Sequence, residues 1–187
     1  LIVDLNDRYV IGFFLGVTFV GYYTPGYALG AAVPGFIAGV LSFVLLPSLS
    51  EYYENGNLGS VNNLLSLSTT YFLLISLPSC VGILIIGKPI LLLLTTPAIA
   101  QNGYIILVLT AFLGLLIGIY EIFKQTIFLK KRTKLLMYFW GFGAIINLVG
   151  NILFVPHYGI IAAGATTILS YFIIMSMVLF FSFKEFK

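Results

Sequence analysis

Long stretches without a charged residue constrain this chain more than any other feature of its sequence. Runs of 42, 33, 32 and 49 uncharged residues lie between Arg8 and Glu51, Glu54 and Lys88, Lys88 and Glu121, and Lys134 and Lys184. A helix that crosses a bilayer needs about 20 apolar residues, so each run can hold at least one. Only 8% of the 187 residues are charged, against about 25% in a soluble domain. The pattern predicts a membrane protein.

The two longest runs each contain turn residues near the middle, GYYTPGY at 21–27 and VPHYG at 155–159, and each is predicted to hold two helices. No segment alternates polar and apolar residues as a membrane barrel requires. We therefore predict an all-α transmembrane bundle of about six helices over residues 1–187, with no soluble domain. The expected helices are Leu1 to about Thr18, Tyr22 to Tyr52, Val61 to Gly87, Gln101 to Leu129, Leu135 to Val155 and Ile160 to Phe183.

The start of the chain and its basic residues predict how the bundle is placed. The chain begins at Leu1 without an initiator Met or a signal-peptide pattern, so we expect a fragment whose first helix is truncated. The densest basic cluster, KKRTK at 130–134, predicts a cytoplasmic loop, and helix alternation then places the carboxyl terminus in the cytoplasm too. We expect a multi-pass protein of the cytoplasmic membrane that contacts membrane lipids and binds no nucleic acid.

Small residues recur at a spacing of four. In lipid, such pairs let helix backbones approach closely, and plain helix packing is the ordinary reason for them. The pairs predicted to pack helices are Gly12 and Gly16, Gly26 and Gly30, Gly35 and Gly39, and Gly114 and Gly118.

Three charged residues interrupt the first apolar helix. Arg8 lies ten residues before Thr18, or about 15 Å deeper in the membrane. Asp4 and Arg8 have the i, i+4 spacing of a pair on one helix face, whereas Asp7 points elsewhere. Charges at this depth form an internal ion pair or a site. In the second case Arg8 could hold phosphate oxygens, and Asp4 or Asp7 could take a proton or a sodium ion.

Two further polar groups are candidates for substrate binding or coupling. Glu121 and Lys124 are three residues apart, nine and six residues before Lys130, and could form a local ion pair or line a cavity. Asn147 and Asn151 lie on one face of a helix, where hydrogen bonds between helices are the simpler interpretation and substrate contact the other.

Motifs of enzymes and metal sites are absent from the sequence. It contains no HExxH, GxSxG or GxxxxGK[ST], and no His and carboxylate cluster with the spacing of metal ligands. The single cysteine, Cys80, excludes an internal disulfide and a cysteine-based cluster. We expect no enzyme, no metal and no cofactor, apart from proton or sodium coupling.

Several segments resemble one family of transporters in their order along the chain. DRYVIGFFLG, VGYYTPGYAL, LSFVLLPSLSEYYENGN, LPSCVGILIIGKPILLLL and INLVGNILFVPHYGIIAAGATTILSYFI are similar to the second half of prokaryotic polysaccharide flippases of the Wzx type. These belong to the multidrug/oligosaccharidyl-lipid/polysaccharide (MOP) exporter superfamily. The resemblance covers essentially the whole chain.

The resemblance implies one lobe of a two-lobe transporter with a central cavity. Such proteins move polyprenyl pyrophosphate-linked sugars across the membrane by alternating access. The chain would be most of the second lobe, its partner being the missing N-terminal lobe. Asp7 and Arg8 match the family's charged pair, which implies that Arg8 contacts the pyrophosphate or a sugar acid while Asp4 or Asp7 balances charge.

Other functions stay open at this point. A cation-coupled multidrug exporter of the same superfamily is one alternative, although its cavity should be more acidic than this mixed set of charges. A lipid II flippase for cell-wall synthesis is another. A membrane glycosyl- or acyltransferase is disfavoured, because the predicted loops offer only His157, Glu51 and Glu54.

Overall fold

The computed structural model describes the backbone of residues 2–186 and the side chains of residues 5–186. Within residues 2–186 the chain forms six helices and no strand, which confirms the predicted all-α class. The helices are α1 (Ile2–Phe14), α2 (Val17–Glu54), α3 (Leu58–Leu94), α4 (Pro97–Leu129), α5 (Lys134–Tyr158) and α6 (Ile160–Glu185).

Five of these helices, α2 to α6, are long and apolar enough to cross a membrane. The 38 residues of α2 extend about 57 Å at 1.5 Å per residue, well beyond a hydrocarbon core of about 30 Å. α2 must therefore tilt strongly or project from the hydrocarbon. α3, with 37 residues, has nearly the same length.

The distribution of polar and apolar side chains suits a lipid environment. Large apolar side chains such as Phe13, Phe43 and Leu93 are more than four-fifths exposed, while Asp7 and Asn151 are fully buried. Extended apolar surface on the outside of a bundle is typical of contact with membrane. The polar residues in the interior are then expected to form hydrogen bonds between helices.

The first predicted helix boundary is wrong. α1 ends at Phe14 instead of near Thr18, because Gly16 adopts a left-handed φ of 95° and stops the helix there. The break expected within GYYTPGY is absent, because α2 begins at Val17 instead of Tyr22 and runs through Pro25. Proline removes one backbone hydrogen bond, but the helical turns on both sides persist where a neighbouring helix packs against them.

The second predicted turn is largely correct. Gly159 separates α5 from α6 with a left-handed φ of 67°. His157, expected in the loop, lies in the last turn of α5 and is exposed there.

Helix α4 is central and packs against α2, α3 and α6. A Cβ on Gly26 would collide with the carbonyl of Gly103, and one on Gly30 would collide with Thr110 and the carbonyl of Leu107. These two glycines therefore set the close approach of α2 and α4.

The other predicted glycine pairs differ in their surroundings. A Cβ on Gly114 would meet Pro34 on α2, and one on Gly118 would meet Phe72 on α3. Gly12 has only an ordinary contact with Val20, and no atom lies within 4 Å of the Cβ position of Gly16, Gly35 or Gly39. The prediction of close packing therefore does not hold for Gly12, Gly16, Gly35 and Gly39 within the described chain, and Gly16 is needed for its backbone conformation.

Three segments meet at one end of the bundle. Lys130 and Arg132, in the loop between α4 and α5, pair with Glu185 at the end of α6 over 3.4 Å and 3.2 Å. The ring of Tyr53, at the end of α2, lies 5.9 Å from that of Phe186. The α2–α3 loop, the basic loop and the end of α6 thus share one end, as the helix map predicts, and the assignment of this end to the cytoplasm stays a prediction.

Candidate functional site

Asp7 is fully buried among four helices and accepts four side-chain hydrogen bonds. Its Oδ2 accepts from the hydroxyls of Tyr23 on α2, at 2.7 Å, and Thr167 on α6, at 2.6 Å. Its Oδ1 accepts from the amide nitrogens of Asn147, at 3.1 Å, and Asn151, at 2.6 Å, both on α5. One carboxylate thus joins α1 to α2, α5 and α6.

Further hydrogen bonds orient the groups around Asp7. Asn6 donates to Oδ1 of Asn147 at 3.0 Å, and Asn151 donates to the same oxygen at 3.2 Å. Asn147 also donates to Oγ1 of Thr167 at 3.0 Å, and the hydroxyl of Thr166 donates to Oδ1 of Asn151. We call the seven residues of this network, Asn6, Asp7, Tyr23, Asn147, Asn151, Thr166 and Thr167, the Asp7 cluster.

The sequence of α5 explains how the cluster forms. The four-residue spacing of Asn147 and Asn151 puts both amides on one helix face. Gly150 lies beside them, and a Cβ there would be 2.8 Å from Cγ2 of Thr166. The glycine therefore lets α6 come close enough for the Thr166 hydroxyl to reach Asn151.

The cluster lies inside the bundle, nearer to the end where α1 stops. Asp7 is seven residues before the end of α1, Asn151 is seven before the end of α5 and Thr167 is seven after the start of α6, or about 10 Å from that end. A charged group at such a depth is costly unless polar partners compensate for its lost hydration. The partners of Asp7 are all uncharged, and no described residue forms an ion pair with it.

This arrangement can hold one small positive charge. The carboxylate of Asp7 can take a proton directly, whereas an alkali cation would need the neighbouring amides and hydroxyls, which donate to Asp7 here, to turn their oxygens toward it. The described residues contain no group of three or more His, Cys, Asp or Glu side chains, so the cluster has the charge for a monovalent cation and not the ligand set of a transition-metal site.

Arg8 follows Asp7 on α1 but does not take part in the cluster. Its side chain is partly buried, and no described atom forms a hydrogen bond with its buried Nε. The predicted partner Asp4 lies outside the described side chains, which begin at residue 5. The pairing of Asp4 with Arg8 therefore stays a prediction.

Glu121 and Lys124 form a second polar site, on the α2–α4 surface. Nζ of Lys124 lies 2.6 Å from Oε2 of Glu121, and both side chains are about one-fifth exposed. Ser42 on α2 donates to the same carboxylate at 2.7 Å, and Gln125 donates to the Ser42 hydroxyl at 3.1 Å. These four residues line an open pocket of about 340 Å³ together with Gly39 and apolar side chains.

The two sites are far apart. Tyr23 of the Asp7 cluster and Ser42 of the second site are 19 residues apart on the same helix, or about 28 Å. Of the predicted site residues, the structure therefore brings Asp7, Asn147 and Asn151 together. It leaves Glu121 and Lys124 as a separate pair.

Sequence reasoning missed several members of both sites. Tyr23 lies in the predicted second helix, but no local pattern points to it as a partner of Asp7. The adjacent hydroxyls of Thr166 and Thr167 could have been noticed as polar groups inside an apolar helix. Gln125 follows Glu121 by four residues, the spacing of neighbours on one helix face. Ser42 comes from another helix, and no local pattern points to it.

Comparison with known proteins identifies a family. The model of the family described as Lipid II flippase MurJ matches residues 28–187. The match includes Asn147, Asn151 and Thr167 and leaves out α1 with Asp7. Neither a search of curated proteins nor a search of solved structures found a match.

This finding corrects part of the resemblance drawn from the sequence. The predicted superfamily of MOP flippases is supported, but its polysaccharide-flippase subfamily of the Wzx type is not. The match agrees with the lipid II flippase that the sequence left as an alternative. With five helices that can cross a membrane and a family match over most of its length, this chain is a multi-pass membrane protein that belongs to the lipid II flippase MurJ family.

Proposed function

We propose that the chain forms one lobe of a flippase that moves a lipid-linked cell-wall precursor of the lipid II class across the cytoplasmic membrane. The substrate would be a sugar joined to a polyprenyl chain through pyrophosphate, and transport would proceed by alternating access. The family match supports this proposal, and the buried Asp7 cluster is the observation that carries its mechanism.

In the proposed mechanism, Asp7 couples transport to a monovalent cation. With the site empty of a cation, Tyr23, Asn147, Asn151 and Thr167 compensate for the charge of Asp7 through hydrogen bonds. A bound proton or sodium ion removes the need for part of these bonds and frees α1 to shift against α5 and α6. A cation thereby changes the relative stability of two packings of the same helices.

Arg8 has a different role in this proposal. Its guanidinium is the basic group nearest to Asp7 in sequence, and Nε has a free hydrogen-bond donor. A planar guanidinium binds phosphate oxygens through two parallel hydrogen bonds. Arg8 would therefore contact the pyrophosphate of the substrate, while Asp7 holds the coupling cation.

A second lobe of the same protein would provide the other wall of the transport pathway. The pocket at Ser42, Glu121 and Lys124 supports this part of the proposal, because an ion pair that is one-fifth exposed is poorly placed against lipid. Facing a second lobe or a water-filled cavity would keep this ion pair in polar surroundings. Contact between this pocket and the substrate is a further part of the same proposal. So is the position of the carboxyl terminus in the cytoplasm.

Asp7→Asn and Arg8→Ala, made in the full-length protein, test these two roles. In vesicles that contain the purified protein and fluorescent lipid II, Asp7→Asn should lower the flipping rate at least tenfold and abolish its dependence on sodium or pH. Arg8→Ala should lower the rate to a similar extent while the remaining flipping keeps that dependence. Glu51→Gln, an exposed carboxylate of α2, is the matched control and should behave as wild type.

The outcomes separate the parts of the proposal. Normal flipping with an unchanged cation dependence in Asp7→Asn would contradict the coupling role. Normal flipping in Arg8→Ala would contradict the phosphate contact. Failure of the wild-type protein to move lipid II in these vesicles would contradict the proposed substrate.

A further inference from the structure

An apolar groove with a basic end lies on the outer surface between α5 and α6. It has a volume of about 700 Å³ and is lined by Leu135 and Phe139 of α5 and by Phe172, Met177 and Phe180 of α6, among others. Arg132, Lys184 and Glu185 close one end. The groove is separate from the Asp7 cluster and from the pocket at Glu121, and the function proposed above makes no use of it.

The length of the groove matches one leaflet of a membrane. Its α6 residues recur at a four-residue spacing on one helix face, from Phe172 to Lys184. Twelve residues of helix extend about 18 Å, and half of a hydrocarbon core is about 15 Å. An acyl chain can therefore lie along the groove from the helix end to the bilayer centre.

The basic end carries charges suited to a phosphate. The guanidinium of Arg132 lies over the ring of Phe181, with 5.9 Å between Cζ and the ring centroid. It is more than half exposed although it pairs with Glu185, so donors remain available. Lys184 is exposed and has no ion pair among the described residues.

The neighbouring loop adds to this positive charge. Lys131 and Lys134 are exposed on either side of Arg132 in the sequence. Among the described residues, Glu185 is the one carboxylate that lines the groove. It already forms ion pairs with both Lys130 and Arg132. The groove end is therefore net positive, and it lies where lipid headgroups begin.

From this combination we infer that the groove binds an anionic glycerophospholipid. Its phosphate contacts Arg132 and Lys184, and one acyl chain packs against the phenylalanines of α5 and α6. A basic group at a helix end next to an apolar groove is the usual arrangement for such lipids. A zwitterionic lipid has the same acyl chains, but the positive charge in its headgroup offsets the attraction of its phosphate to Arg132 and Lys184.

Competition between lipids tests this inference. The full-length protein is placed in nanodiscs that contain equal amounts of phosphatidylglycerol and phosphatidylcholine, and the lipids that remain bound are counted by native mass spectrometry. Wild type should retain phosphatidylglycerol preferentially. Arg132→Gln and Lys184→Gln should each lower this preference about fivefold, as expected for one basic residue at a membrane surface.

Two further variants separate charge from shape. Lys88→Gln removes an exposed lysine from α3, outside the groove, and should leave the preference unchanged. Ser176→Trp adds bulk to the exposed groove residue Ser176 without changing charge, and should displace the bound phosphatidylglycerol.

Three results would overturn the inference. These are equal retention of the two lipids by wild type, a loss of preference in Lys88→Gln as large as in Lys184→Gln, and undiminished phosphatidylglycerol binding in Ser176→Trp. None of them depends on flipping activity, so the inference and the proposed function can fail separately.

Discussion

A buried carboxylate with only uncharged partners makes the Asp7 cluster sensitive to each hydrogen bond. Thr167 is fully buried, and its Oγ1 donates to Asp7 at 2.6 Å while accepting from Asn147 at 3.0 Å. A hydrogen bond to a charged group contributes more to stability than one between neutral groups. The free energy of unfolding should therefore respond to the loss of a single hydroxyl here.

Thr167→Val tests the stability of the cluster at this scale. Valine keeps the shape of threonine but cannot donate to Asp7, so the free energy of unfolding should fall by about 1–2 kcal/mol. Thermal unfolding in detergent measures the change. Thr70→Val is the control, because Thr70 is exposed and donates only to the carbonyl of Ser66 within its own helix. Equal unfolding temperatures for the two variants would contradict the prediction.

At the scale of helices, the close approach of α2 and α4 depends on particular glycines. A Cβ on Gly30 would meet backbone atoms of α4, including the amide nitrogen of Ala111 at 3.1 Å. Backbone atoms cannot rotate away as a flexible side chain can, so the two helices would have to separate. Gly35, five residues later on α2, has no atom within 4 Å of the same position.

Gly30→Ala and Gly35→Ala form a matched pair for this contact. Overpacking should make Gly30→Ala less stable by about 1–3 kcal/mol. Gly35→Ala should be neutral or slightly stabilising, because alanine favours a helix more than glycine does. The midpoint of thermal unfolding of each purified variant gives the comparison. A Gly35 variant as unstable as the Gly30 variant would contradict the assigned contact.

These glycines also show how far the sequence could predict the fold. The uncharged runs predict six helices because the membrane imposes their length and composition. The same reasoning treats Gly30 and Gly35 alike, since a spacing of four says nothing about which face meets a neighbour. The break expected within GYYTPGY is misplaced for a similar reason, because packing against α4 decides whether a helix continues through a proline such as Pro25.

The candidate site was predictable only in part. The i, i+4 asparagines and the buried aspartate are visible as polar residues in apolar segments. Their contact across 140 residues of sequence is not, because it depends on how α1, α5 and α6 pack. Tyr23 and Thr167 complete the cluster from two other helices, and no local pattern distinguishes them from other tyrosines and threonines of the chain.

For the whole molecule, the two ends of the bundle differ in the charged residues that they carry. Arg132 and Lys130 share one end with Glu185, at the carboxyl-terminal end of α6. The opposite end carries the short α3–α4 connection at residues 95–96 and Gly159, which hold no charged residue. Basic loops are retained in the cytoplasm, so the basic end should face inward and the lipid groove should lie in the inner leaflet.

Single-cysteine labelling measures this orientation. Cys80 is the only cysteine in these 187 residues and is buried, so a background with Cys80→Ala and any cysteine of the other lobe replaced allows one reporter at each end. Thr96→Cys and Thr133→Cys replace exposed residues that precede α4 and α5. A membrane-impermeant maleimide should label Thr96→Cys in intact cells and Thr133→Cys only after the membrane is permeabilised. The reverse pattern would place the basic end outside, and the groove would then have to select its lipid from the outer leaflet.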